Sequence, residues 1–150
     1  MTIWIRLSAL ICACALALPL HADLASAKAE SKPDKRAAKA LDNAQSAFKH
    51  AQDVYVEKGD VKQTYAYLDE VMESVQLAYD SLVATGKNPS KSPKNFKKAE
   101  ITTRELLRKL TDFREQMSAL DRDGIDKIRS TIQKIHDDLL SGIMGEKKDD

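Results

Sequence analysis

The chain has 150 residues, with 24 Lys and Arg set against 23 Asp and Glu and a formal net charge of +1. That balance excludes a general nucleic-acid binder, whose footprint is a strong basic excess, and confines any electrostatic function to local patches. Both cysteines, Cys12 and Cys14, lie in a stretch that reads as a removable leader, so the rest of the chain is expected to have no disulfide framework, thiol nucleophile or cysteine metal site.

The leader has a short positive start ending at Arg6 and an uncharged, mostly apolar run over 7–20. Ala25-Ser26-Ala27 follows as a small-x-small cleavage site, and Ala22 offers a second cleavage point. The apolar run falls short of the ~20 residues that span a bilayer. It also continues past Cys14 to Leu20, unlike a lipid-modified signal. The domain reading is therefore a cleaved secretory signal peptide over 1–27, a flexible lead-in over 28–32, one helical domain over 33–144 and a frayed tail over 145–150. Localisation is expected to be periplasmic or secreted.

Pro33 suits the first turn of a helix. Ala37, Leu41, Ala44, Phe48, Ala51 and Tyr55 then recur at alternating four and three residues, which places them on one stripe of a first helix that Gly59 closes. Asp60 with Gln63 forms a capping-box-like pair at the start of a second helix. Its stripe is Val61, Thr64, Leu68, Val71, Val75, Ala78 and Leu82, and Gly86 ends it. Residues 87–92, with Asn88-Pro89 and two serines, have loop chemistry. Ser92-Pro93 reads as cap and first-turn proline of a third helix, whose stripe is Phe96, Ala99, Thr103, Leu106, Leu110, Phe113, Met117 and Leu120. A fourth helix, capped by Asp121 or Asp123, carries Ile125, Ile128, Ile132, Ile135 and Leu139 ahead of Gly142 and Gly145.

Four heptad-like stripes separated by short turns predict an all-α fold, an antiparallel up-down-up-down four-helix bundle with coiled-coil-like packing. The competing architecture is a pair of helical hairpins that complete their cores in a dimer, because a stripe does not say which chain its partner helix belongs to. Monomer and homodimer both stay open.

Catalytic signatures are sparse. His50 and His136 are the histidines outside the leader, and neither accompanies a G-x-S-x-G or comparable nucleophile motif. The helical neighbours of His136 at three and four residues are Ile132, Gln133, Leu139 and Leu140, which supply no orienting carboxylate. It reads as a boundary histidine at the core edge. Asp53 and Glu57 share a helix face with His50, but Lys49 and Lys58 lie nearby and the spacing matches no zinc motif. The reading is no catalytic residues, no metal and no cofactor. In length, leader and helix layout the chain resembles the periplasmic b-type cytochromes. That resemblance implies the bundle architecture but no haem: the family's ligands are a methionine early in the first helix and a histidine late in the last. Here the first helix has no Met, and residues 139–144 contain no His.

Two surface features remain as candidate interaction sites. Lys87, Lys91, Lys94, Lys97 and Lys98 precede the first acid of the third helix, Glu100, so several lysines oppose the dipole of that helix. Such a choice suits an anionic partner: lipid phosphate, an envelope polysaccharide or an acidic protein patch. Tyr65, Met72 and Tyr79, spaced by seven, widen the apolar face of the second helix. They either pack on a neighbouring helix or line a groove for a partner helix or apolar ligand. The second helix is acidic (Asp69, Glu70, Glu73, Asp80) and the third is basic, a pattern expected to pair the two as neighbours. The functional expectation is a noncatalytic exported bundle that binds another envelope protein. The alternative is a carrier or sensor of an apolar or anionic ligand, held in the bundle or at the lysine-rich end.

Overall fold

The computed structural model describes residues 22–145; most of the leader, both cysteines and the tail beyond Gly145 lie outside these. The described chain is all-helical: α1 Ala22–Lys28, α2 Pro33–Lys58, α3 Val61–Val83, α4 Lys94–Gln116 and α5 Asp123–Met144, with a 3₁₀ turn at Ala119–Asp121 ahead of α5. Among these helices none is long and apolar enough to cross a membrane.

The helix ends follow local chemistry. Pro33 opens α2, and Gly59 closes it with a left-handed φ of 62° while its N–H donates to the Tyr55 carbonyl. Asp60 then accepts from the Gln63 N–H at 3.0 Å, satisfying one exposed donor of α3. Four expected ends differ, and the first is the close of α3: it stops at Val83, with Ala84 rather than Gly86 at its C-cap. Ser92 does not cap α4: Pro93 holds that position with no side-chain bond. Neither Asp121 nor Asp123 caps α5, whose N-cap is Arg122. Gly142 lies within α5, and Gly145, at φ 75°, ends it.

Partners across the helices give their relative course. Along α2 and α3 they run in opposite senses: Arg36 meets Ser81, Asn43 meets Ser74, and His50 stacks on Tyr67. The same holds for α4 and α5, where Thr103 meets His136 and Arg114 meets Asp126. Between α2 and α4 the sense is shared: Asp34 holds Asn95, and Phe48 and Tyr55 both meet Phe113 edge-on. α3 likewise lies against α5, with the Tyr65 ring over Gly124.

The expected stripes form the core. Leu68, Val71, Val75, Leu106, Leu110, Phe113, Ile125 and Ile132 are essentially sealed within a single chain. One expected core residue fails: Leu120 is 94% exposed. Helix α4 stops at Gln116, Met117 turns to an extended conformation, and the register of the stripe ends with it.

A second seam adds to the first. On α2 it is Ala40, Asn43 and Ala47; on α3 it is Glu70, Ser74 and Ser81, all buried. The short helix α1 packs on both α2 and α3, burying Leu24 and Ala27. Within the stretch expected as a lead-in, 28–32, Lys28 pairs with Glu73 at 3.6 Å, Glu30 pairs with Lys39 at 3.0 Å, and Arg36 donates to the Glu30 carbonyl.

Candidate functional site: the lysine-rich end

All five lysines singled out in the sequence are exposed. They sit where the 84–93 loop enters α4, at the end of the molecule that also holds the start of α2 and the close of α5: Asp34 reaches Lys87 and Asn95, and Gly142 packs under Pro89. The loop is built locally. The Asn88 side-chain oxygen accepts from the Ser90 and Lys91 N–H groups and from the Ser90 hydroxyl, so it turns the chain after Lys87.

The five do not act as one cluster. Lys87 pairs with Asp34 at 2.6 Å, and Lys98 lies 4.0 Å from Asp42. The Lys87 ammonium, then the Asn95 amide, hold the Asp34 carboxyl below its ordinary value. Lys91, Lys94 and Lys97 have no such acid among the described residues, and Lys94 and Lys97 stand in the first turn of a helix with no side-chain cap. Exposed N–H groups and uncompensated ammoniums therefore share one surface. A cleft of about 460 Å³ opens there, lined by Asp34, Lys87, Ser92, Pro93, Lys94, Asn95, Phe96 and Lys97. Chemically it offers cations on its rim, an aromatic floor and one carboxylate already neutralised.

Tyr65, Met72 and Tyr79 are half-buried and packed on the core. Tyr65 covers Gly124 and donates its hydroxyl to the Asp121 carbonyl. Burial pushes the Tyr65 phenol above its ordinary value, with Asp121 and Asp123 adding in the same sense, so it stays a donor. Met72 shares a shallow depression with Leu77 and Thr131, and Tyr79 lines a 250 Å³ cleft with Phe96, Leu139 and Gly142. All three thus lie along the seam between α3 and α5.

Comparison with family models, curated proteins and solved structures finds no match. The geometry stands alone as the functional argument.

Two polar clusters escaped sequence reasoning. His136 does have a carboxylate neighbour, on another helix: its Nδ1 lies 3.9 Å from Glu100 and 3.2 Å from the Thr103 hydroxyl. That hydroxyl donates to the Glu100 carbonyl at 2.9 Å. It has one proton to give, so in this arrangement Nδ1 carries its own and donates to Thr103. Thr103 is sealed at 1% exposure. The cluster is a polar clamp between α4 and α5. A helical 3–4 pattern reports neighbours on one helix, which is why this contact was not legible.

The second cluster is Asn43, Glu70 and Ser74 beneath α1. The Asn43 amide donates to Glu70 and to Ser74, each at 2.9 Å, and the other Glu70 oxygen has no partner. Glu70, expected as a surface charge, is 5% exposed. The expected pairing of an acidic α3 with a basic α4 also fails among the described residues: Glu73 pairs with Lys28, and the ion pairs of α4 to other helices reach Asp42 of α2 and Asp126 of α5. His50 stacks on Tyr67 at 5.4 Å, and among the described residues no three His, Cys, Asp or Glu side chains converge for a metal.

Proposed function

We propose that the protein is an exported, noncatalytic helical bundle that binds a carboxylate-rich surface of another envelope protein through its lysine-rich end. Its four long helices alternate in direction along the chain as an up-down-up-down bundle, complete within one molecule. The alternating senses of the residue pairs and the sealing of Leu68, Leu110 and Ile132 inside a single chain support that architecture. The observation that carries the function is the set of Lys91, Lys94 and Lys97, exposed and without an internal acid around the uncapped start of α4. Lysines there oppose the helix dipole by about 0.3 to 1 kcal/mol each when exposed, a cost that an anionic partner removes. Exposed charges of this kind steer association and confer strong salt dependence.

The test is zero-length carbodiimide cross-linking in the native envelope fraction. It joins amines to carboxylates already in contact. Cross-links from Lys91, Lys94 or Lys97 to acidic residues of a distinct polypeptide, lost in high salt and in the triple Lys→Gln variant, are expected. Undiminished association of that variant overturns the reading. The 460 Å³ cleft with Phe96 at its floor favours a second reading, a small anionic ligand with an apolar part. A retained mass on the native protein that disappears in the same variant would select it.

A further inference from the structure

The exported reading leaves two bonds at which the leader can be cut, and the small-x-small pattern alone points to the one after Ala27. The packing of α1 points to the other. We infer that the leader is removed between Ala22 and Asp23, and that residues 23–28 remain on the mature protein as a cover for the seam between α2 and α3; this rests on the chain being exported.

Three observations converge. First, α1 has the pattern of a helix that belongs to the domain: Leu24 and Ala27, three residues apart, are 2% and 0% exposed, while Asp23, Ala25, Ser26 and Lys28 face outward. Asp23 stands in its first turn and Lys28 in its last, the order that the helix dipole favours. Second, α1 covers a polar seam. It packs on both α2 and α3, Asp23 borders the same cavity as buried Asn43, Ala47 and Glu70, and its last residue, Lys28, pairs with Glu73. Third, cutting before Asp23 creates an α-ammonium at the wall of a small cavity of about 80 Å³ that Asp23 lines together with Asn43, His50 and Glu70. Glu70 is the buried carboxylate with one unpartnered oxygen. A new cation thus arises at a cavity that an acid short of a partner also borders. Cutting after Ala27 forfeits all three features.

The experiment is the intact mass and N-terminal sequence of the mature protein after expression with its own leader in a bacterial host that processes exported proteins. A mature chain beginning at Asp23 is expected. Ala22→Phe, which puts a bulky side chain next to the scissile bond, should abolish that product. Ala25→Phe, at an exposed position of α1 that a cut after Ala27 requires to be small, should leave it unchanged. A mature chain beginning at Lys28, lost in Ala25→Phe, overturns the inference while the exported reading stands. A product that still carries Met1 overturns both.

Discussion

Gly124 is required by a neighbour rather than by its own backbone. A Cβ there would collide with the Tyr65 ring, whose hydroxyl is tied to the Asp121 carbonyl and so cannot swing aside freely. Tyr55 secures the same turn from α2: it donates to the Asp121 carboxylate at 3.1 Å and accepts from the Ser118 N–H at 2.8 Å. Two tyrosines on two helices thereby fix the approach to α5. Gly124→Ala should lower stability by about 1 to 3 kcal/mol, the range for forcing volume into a packed site. Urea denaturation measures it, and an unchanged midpoint would mean that Tyr65 does not rest on this glycine. Asn43 works differently, since its amide is the link between Glu70 and Ser74. A buried carboxylate satisfied on one oxygen is a costly local choice, which makes the cover supplied by α1 consequential.

At the scale of elements, the start of α2 is held to the 84–93 loop and to the start of α4 through Asp34, which accepts from Lys87 at 2.6 Å and from Asn95 at 2.8 Å. Those partners depress its pKa below the ordinary 3.8. A carboxyl depressed in the folded state contributes stability that is present above its unfolded pKa and is lost as pH falls through the folded one. Wild type should therefore exceed Asp34→Asn in Tm near neutrality, and the gap should close in the acid range below pH 3.8. Because the Asp34 side chain is 40% exposed, the gap should be small and shrink with added salt. A gap that stays constant from neutral to acid pH would show that the charge on Asp34 does not hold the loop. Arg114 and Asp126 make the equivalent link between α4 and α5 at 2.8 Å, near the opposite end.

The whole molecule depends on one core to which all four long helices contribute. Leu110 is 0% exposed and belongs to the core cluster with Leu106 and Phe113 of its own helix, Met117 just beyond it and the isoleucines of α5. Leu110→Asp places an unpaired charge there, which no nearby cation in the core neutralises. The expected result is one cooperative loss of helicity across the chain, followed by circular dichroism during urea titration. An equally stable, fully helical variant would put Leu110 on the outside and break the register assigned to α4.

The sequence by itself determined the helix count in the main domain, the faces that form the core and two of the turns, because helical periodicity, proline and glycine act through neighbours a few residues apart. It marked the lysine-rich end for the same reason: Lys87, Lys91, Lys94, Lys97 and Lys98 stand out as a run without an acid across the loop and the start of one helix, with Lys94 and Lys97 in its first turn. Leu120 shows the limit, since the stripe continues in the letters after the helix has stopped. Tertiary structure alone decided which helix lies beside which, and with it that Lys87 is neutralised by Asp34, that His136 meets Glu100, and that Tyr65 rests on Gly124. The outer seam had a faint signal, Ala40, Asn43 and Ala47 facing Glu70, Ser74 and Ser81 at helical spacing. Its meaning required α1. Contacts between residues tens of positions apart depend on how whole helices dock, and a repeat of three and four residues carries no information about that.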